Sequence, residues 1–254
     1  MRSIFPETIL TQAEKHLLFL AESNKACQNA LTIIKNYDFR TYYHSVGVAQ
    51  LIAAIVQRSD LVENETVAVH MVTAGFEHDL GKTMVAKEIV DSTTIYNQNE
   101  WSQMKHHPIG SFILSLASHP EQPLIPSLGL RHQTLQTGFD NFGESRSYPN
   151  EEDVEILEKH YIGTQVDAKL RAIGTVILAV ADQVEARMPI PRLNSHPYGD
   201  RAEDKPADIT EKIYSEFARS PRLEVKPEKI RKALSVAKLI MEQTIEYHQD
   251  KKLS

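Results

Sequence analysis

The sequence predicts an all-α fold, a helical bundle with no significant sheet. Apolar residues recur every three or four positions along most of the chain, which is the spacing of the buried face of an amphipathic helix. No stretch shows the sustained period-two alternation of a half-buried strand. The 254 residues, 41% of them hydrophobic and 24% charged, can bury a substantial core. We therefore expect residues 1–254 to form a single domain.

The predicted elements are helices and two long loops. Gly81 is expected to stop the helix before it, because glycine commonly follows the last helical turn. Segments 136–153 and 188–208 are rich in Gly, Pro, Asn, Ser and Asp, which predicts loops, and loops of this length often cover a site. The predicted helices lie within residues 7–36 (one or two helices), from His44 onward, at Thr66–His78, after Asn97 or Asn99, from Pro108 through Ala117, at residues 165–187 and from Pro227 to about Tyr247.

Composition excludes several classes of function. The 28 basic and 34 acidic residues give a net charge of −6, which offers no basic face for duplex nucleic acid. No apolar run is long enough to span a membrane, and the N-terminus lacks a signal-peptide core. Cys27 is the only cysteine, so no internal disulfide can form, as suits a reducing compartment. We therefore expect a cytoplasmic protein without a membrane partner.

The adjacent pair His78-Asp79 is the first candidate functional feature. Neighbouring helical residues point about 100° apart, but near a helix end an imidazole and a carboxylate can approach one centre. His78 could then bind one metal ion while Asp79 bridges to a second. Lys82, just beyond Gly81, could place its ammonium near a bound phosphate. Taken alone, the pair would be interpreted as a solvated helix end.

Four further residues supply the side chains that a metal centre needs. His44 begins an amphipathic helix, His107 lies at another helix entry, and His132 follows a helical turn. Asp182 closes a strongly apolar run, where a carboxylate must be paired, hydrogen-bonded or metal-bound. Each of the four has an ordinary structural explanation when taken singly. Together with His78-Asp79 they form a mixed histidine and carboxylate set, which is typical of borderline divalent metals.

The order of these residues resembles that of a known superfamily. Members of the HD phosphohydrolase superfamily are helical and carry histidines and aspartates in the same order along the chain, namely His, His-Asp, His, His and Asp. More narrowly, residues 77–82 (Glu-His-Asp-Leu-Gly-Lys), 100–110 and 177–182 resemble the HD-GYP branch. Domains of that branch hydrolyse cyclic dinucleotides, chiefly cyclic di-GMP. The resemblance therefore implies an HD-domain helical bundle with phosphodiesterase activity.

The resemblance covers about residues 40–200, which it implies are the metal-binding core. Residues 1–36 would then be an N-terminal helical extension, and residues 208–254 would be C-terminal helices. At the paired histidines, His107 rather than His106 takes the position of the family's ligand.

The resemblance also implies a ligand set, a mechanism and substrate contacts. One divalent ion would be held by His44, His78, Asp79 and Asp182, and the other by Asp79, His107 and His132, with Asp79 bridging. Iron or manganese is expected first, and nickel or zinc are alternatives, because all four accept this ligand mix. A water that bridges the two ions would attack the phosphodiester, with Asp79 and Lys82 as the catalytic residues. The candidate substrate-binding residues are Lys82, Arg131, Arg187, Arg192 and Arg201, and for each arginine an exposed charge is an equal alternative.

Departures from the HD-GYP branch concern a third metal and the substrate. Its members often carry a glutamate where this chain has Arg40, and a second histidine where it has Gln133. Both of those residues serve a third ion, so a centre of two ions is expected. The Gly-Tyr-Pro motif is degenerate, because Phe139 follows Gly138 and only Tyr148-Pro149 resembles its remnant.

Four functions fit the sequence. A phosphodiesterase acting on a cyclic dinucleotide is favoured, with a small phosphodiester or nucleotide as the partner. An HD hydrolase of mononucleotides or other phosphoesters would agree with the altered Gly-Tyr-Pro region, and a substrate panel would distinguish it. An HD-fold di-iron oxygenase uses a closely similar ligand set, and oxygen consumption with bound iron would identify it. A catalytically silent metal-binding signalling module would keep the metal without turnover. The sequence leaves a homodimer open.

Overall fold

The protein is a bundle of helices, as the sequence predicts. The structure, a computed structural model, describes residues 5, 6, 8–138, 141–143, 145–188 and 205–253, and within them there is no β-strand. Helices α1 to α12 are Gln12–Ser23, Lys25–Tyr37, Phe39–Arg58, Glu65–Glu77, Lys87–Val90, Gln98–Met104, His107–Ser118, Leu124–Arg131, Glu151–Leu157, Ala168–Arg187, Pro206–Phe217 and Pro227–Leu253. A 3₁₀ segment, Leu80–Met84, follows α4, and a π-helical segment, Glu158–Ile162, continues α9.

Three helices, α3, α4 and α10, form the centre of the bundle. Every residue of α3 from Ser45 to Val56 is buried, and so is every residue of α10 from Ala172 to Asp182. A helix that is buried on all sides lies inside a fold rather than on its surface. Helix α3 packs against both α4 and α10, so side chains from these helices can meet in the interior.

The outer helices cover this centre. Helices α1 and α2 pack on α3 and α4, α7 and α8 pack on each other beside α4, and α11 and α12 cover α10. Glu14, which completes the capping box of α1, is fully buried and binds Arg58 at the end of α3, with Oε1 and Nε 2.6 Å apart. Among the described residues, no helix combines the length and the apolar composition needed to cross a membrane.

Most predicted helix starts are confirmed by their caps. Asn97 caps α6, and Pro108 lies in the first turn of α7. Residues 7–36 contain two helices, separated at Asn24, whose side chain accepts the Ala26 N–H. Helix α3 begins before His44 because the Asp38 carboxylate caps it.

Two predictions about loops need correction. The expected loop 136–153 ends early, because Asn150 caps α9, which begins at Glu151. The expected loop 188–208 also ends early, since α11 begins at Pro206, a residue suited to a first helical turn. Residues 189–204 of that second segment lie outside the described part of the chain.

Candidate metal centre

The six predicted ligands come from five parts of the fold and meet inside the bundle. They lie in α3 (His44), the turn after α4 (His78 and Asp79), the first turn of α7 (His107), the end of α8 (His132) and α10 (Asp182). His44 is the most exposed of them, with 11% of its side chain accessible. The cluster is therefore buried, with one side near the surface.

The turn that carries His78-Asp79 is held against α7 by a serine. Ser111 Oγ accepts the Gly81 N–H at 2.8 Å and donates to the carbonyl oxygen of His78 at 2.6 Å. The prediction that Gly81 stops a helix is wrong, because α4 ends at Glu77 and Gly81 lies in the 3₁₀ segment without the positive φ of a helix-ending glycine. Its role is instead close packing against α7.

Asp79 directs one carboxylate oxygen to each half of the cluster. Oδ2 lies 3.6 Å from His44 Nε2 and 3.4 Å from His78 Nε2. Oδ1 lies 3.2 Å from His107 Nε2 and 4.0 Å from His132 Nε2. The cluster thus consists of two groups that share Asp79, and the ligand atoms of each group lie within 4.8 Å of one another.

Asp182 completes the first of these groups. Its Oδ1 lies 2.9 Å from His44 Nε2 and 3.8 Å from His78 Nε2. Its Oδ2 accepts a hydrogen bond from the Gln133 amide at 3.0 Å. Oδ1 is therefore the oxygen that Asp182 presents to the histidines.

The orientation of the imidazole rings fits a metal. His78, His107 and His132 each donate Nδ1–H to the carbonyl oxygen three residues earlier, over 2.9, 2.8 and 2.6 Å. Because a carbonyl only accepts, Nδ1 carries the proton, and Nε2 of the neutral ring has a lone pair. The Nε2 atoms of His107 and His132 face each other at 3.1 Å. Two lone pairs at that distance repel, and a cation bound by both relieves the repulsion.

The negative charge of Asp79 is stabilised by its neighbours. Burial raises the pKa of Asp79, but neighbouring groups, the ammonium of Lys82 foremost, outweigh it and hold that pKa well below its usual range. Lys82 Nζ lies 2.6 Å from Asp79 Oδ2, so an ammonium already neutralises one of the oxygens that face the histidines. Asp79 is therefore an ionised carboxylate.

Two of the histidines have opposite electrostatic environments. Burial lowers the pKa of His44, but the carboxylates of Glu185 and Asp182 outweigh it and raise that pKa to about 10. Burial, more than any neighbouring group, lowers the pKa of His132 to about 3. His132 is therefore a neutral imidazole, the form that binds metals.

The match with known families agrees with this geometry. A family model described as HD domain matches residues 41–187, more than half of the 254 residues. This chain belongs to the HD domain family. HD domains bind divalent metals and are generally metal-dependent phosphohydrolases, as the cluster of histidines and aspartates would allow. No curated protein sequence matches the chain.

Two of the predicted arginines are paired with glutamates. Arg131 is mostly buried and donates two hydrogen bonds to Glu158, at 2.8 and 2.7 Å. Arg187 binds Glu216 at 3.2 Å. The geometry therefore gives no support for phosphate contacts by these two residues. The other two predicted arginines, Arg192 and Arg201, lie outside the described residues.

Of the paired histidines, His107 is the one that the HD domain brings to the cluster. His106 is exposed, and its Nδ1 lies 2.7 Å from the carbonyl oxygen of Ser102. The ring of His107 has Tyr148 beside it, with the ring centroids 6.0 Å apart, and Tyr148 in turn lies against Trp101 at 5.8 Å. Aromatic rings thus form one wall next to His107.

Arg40 and Gln133 make contacts that a third ion could not use. Arg40 donates to the carbonyl oxygen of Val90 at 2.7 Å and lies 3.4 Å from Asp38 Oδ1. A guanidinium has only donors and cannot bind a cation. The Gln133 amide donates to Asp182, as described above, and its oxygen accepts from Gln136.

Sequence reasoning missed two residues that hold ligands in place. Glu185 accepts Nδ1–H of His44 and is buried. Its position three residues after Asp182, on the same side of a helix, is a spacing that could have identified it. Ser111 binds the turn of His78, and nothing in the sequence distinguishes it from an ordinary helical serine.

Proposed function

We propose that this HD domain is a phosphodiesterase with a binuclear metal centre. The observation that carries the proposal is the carboxylate of Asp79, whose Oδ2 faces His44 and His78 and whose Oδ1 faces His107 and His132. A carboxylate with one oxygen toward each of two ligand groups suits a pair of ions that share it.

The ligands and the phosphate-binding residue are proposed from the same geometry. His44, His78, Asp79 and Asp182 would hold one ion, and Asp79, His107 and His132 the other. When bound, two divalent ions supply Lewis-acid stabilisation of charge on phosphoryl oxygens and make a water molecule more acidic. Lys82 would bind a non-bridging phosphoryl oxygen, because its side chain is 24% accessible and its ammonium reaches the cluster.

We propose a cyclic dinucleotide, such as cyclic di-GMP, as the substrate. The resemblance of residues 77–82 to the HD-GYP branch supports it, and so does the place of Tyr148, the candidate remnant of Gly-Tyr-Pro, beside His107. Arg131 cannot contact the phosphate because Glu158 binds its guanidinium.

The double replacement His78→Ala, Asp79→Ala tests the metal centre and the chemistry together. It is expected to remove bound metal and to lower the rate of hydrolysis of an aryl phosphodiester by more than about 100-fold. Loss of a residue that only supports a metal ligand costs up to about 100-fold, and this variant removes two proposed ligands. Metal content by mass spectrometry and steady-state hydrolysis of bis(4-nitrophenyl) phosphate are the measurements. His16→Ala, at an exposed histidine, is the control and should change neither. Retention of both metal and activity in the double variant would refute the proposal.

A substrate panel separates the proposed substrate from its alternatives. Protein loaded with manganese or with iron would be given cyclic di-GMP, nucleoside monophosphates and the aryl diester. We expect the highest kcat/KM with cyclic di-GMP. A preference for the monophosphates would contradict the substrate but keep the hydrolase. Oxygen uptake by the iron form without phosphate ester hydrolysis would replace the proposal with an oxygenase.

A further inference from the structure

The outer partner of His44 differs from those of the other three histidines. His78, His107 and His132 donate Nδ1–H to neutral backbone carbonyls, whereas His44 donates it to the carboxylate of Glu185. Only 2% of the Glu185 side chain is accessible, so solvent screens its charge little. One histidine of the four is therefore polarised by a full negative charge.

Negative charge is divided unequally between the two ligand groups. We call the group of His44, His78, Asp79 and Asp182 the carboxylate-rich position, and the group of Asp79, His107 and His132 the histidine-rich position. The first has two carboxylates in direct contact with its histidines and a third, Glu185, behind one of them. Within 4 Å of its histidines the second has, among the described residues, the shared carboxylate alone.

From this asymmetry we propose that the two positions bind divalent ions with unequal affinity, that the carboxylate-rich position fills first, and that Glu185 is the positioning residue responsible. The inference rests on the proposed binuclear centre. Glu185 acts in two ways: it holds the His44 ring so that Nε2 points at Asp182 and Asp79, and its charge makes that nitrogen a stronger donor to a cation.

Gln133 makes the same position more rigid. Its amide nitrogen donates to Oδ2 of Asp182, while Oδ1 lies 2.9 Å from His44 Nε2. An amide N–H cannot bind a cation, so it holds one carboxylate oxygen without competing for the ion. Both His44 and Asp182 thus keep their ligand atoms aimed at one point, which lowers the cost of ordering them when an ion binds.

Titration of metal-free protein with Mn²⁺ tests the proposal without any assay of activity. Free and bound Mn²⁺ are followed by electron paramagnetic resonance, and heat is followed by calorimetry. The intact protein is expected to bind two ions in two classes that differ by at least about tenfold in affinity. Glu185→Gln keeps the shape of the side chain but removes its charge, and should weaken the tighter class by about 10- to 100-fold while the weaker class changes less than about twofold.

Three further variants assign the classes to positions. His132→Ala should remove the weaker class and leave the tighter one. Glu185→Asp keeps the charge and should restore part of the affinity that Glu185→Gln loses, which a purely structural role would not require. Glu14→Gln makes the same chemical change at another buried carboxylate, one bound to Arg58 far from the cluster along the chain, and should leave both classes unchanged.

The possible results separate this inference from the proposed function. Two ions bound with equal affinity would overturn the inference and leave the binuclear centre intact. Loss of the tighter class in His132→Ala, or equal weakening of both classes in Glu185→Gln, would also overturn it. If the intact protein bound no Mn²⁺, Fe²⁺ or Zn²⁺, the proposed function would fail together with the inference. Equal affinity of the two ions and failure to bind any ion are both measured on the intact protein, so neither result depends on whether a Glu185 variant folds.

Discussion

At Gly81 the 3₁₀ segment runs directly against α7. A Cβ built on this residue would lie 2.0 Å from the carbonyl oxygen of His107 and 2.4 Å from the backbone nitrogen of Ser111. The missing side chain lets Ser111 bind the turn that carries His78-Asp79. A single glycine therefore lets the turn of His78-Asp79 lie directly against α7, which carries His107.

Gly81→Ala is expected to lower the free energy of unfolding by about 3 kcal/mol or more, because the new methyl group would clash with the backbone of α7 and force it away from the turn. Urea denaturation measures this loss. Gly129→Ala is the matched control, since a Cβ there would meet only Ser111 Cβ, at an ordinary 3.8 Å, and alanine is the better helix former. The control should be neutral or slightly stabilising. A loss below about 1 kcal/mol in Gly81→Ala would contradict the argument.

Among the elements, α8, the π-helical segment and α10 are joined by a buried network around Glu158. Its carboxylate accepts from Ser127 at 2.6 Å and from Arg131 at 2.8 and 2.7 Å, and lies 3.2 Å from Arg171. Burial raises the pKa of Glu158, but the hydrogen bonds and charge of Arg131 outweigh it and hold that pKa below its usual range. Because His132 directly follows the last residue of α8, the network also helps to position that ligand.

Glu158→Gln is expected to lower the free energy of unfolding by about 3 kcal/mol at neutral pH, because it leaves the buried Arg131 charge poorly compensated. A carboxyl whose pKa is lowered by folding stabilises the protein above its unfolded pKa of about 4.3. That stabilisation is lost as the pH falls through the lower, folded pKa. The difference between the wild-type protein and Glu158→Gln should therefore shrink below about pH 4. Urea denaturation across this pH range measures it.

Glu224→Gln is the control for this network. Glu224 also binds Arg131, at 3.3 Å, but 44% of its side chain is exposed. Solvent screens such a pair, so the loss should be about 1 kcal/mol or less. Equal losses in Glu224→Gln and Glu158→Gln would show that burial of the carboxylate does not matter.

In the whole molecule, the ligands are held by α3, α7, α8, α10 and the turn after α4. Unfolding separates these elements, so the two ions that they would hold have no comparable sites in the unfolded chain. An ion bound only by the folded state stabilises it by mass action. The folded protein and its metal content are therefore expected to be linked.

Saturating Mn²⁺ is expected to raise the free energy of unfolding by about 2.7 kcal/mol at a hundredfold excess over Kd. The melting temperature should rise by about 5–10 °C for a chain of this size. Thermal denaturation with Mn²⁺ and with a chelator measures the shift. The His78→Ala, Asp79→Ala variant should show no shift, and an equal shift there would mean that the ions bind elsewhere.

Helix starts were predictable because caps are local. Asn97 and Pro108 act within one turn of the residues they affect, and the structure confirms both. The interpretation of Gly81 failed because its cause, the approach of α7, comes from residues about 30 positions away. Helix α9 was missed because its cap, Asn150, lies in a segment rich in turn-forming residues.

The sequence by itself determined the helical class and the chemical types of the candidate ligands, because periodicity, caps and side-chain chemistry are properties of short segments. Only the tertiary structure decided which carboxylate oxygen faces which imidazole. It also decided that Arg131 binds Glu158 and that Glu185 binds His44, a residue 141 positions away. Contacts over such distances depend on how whole helices pack, and no local pattern encodes them.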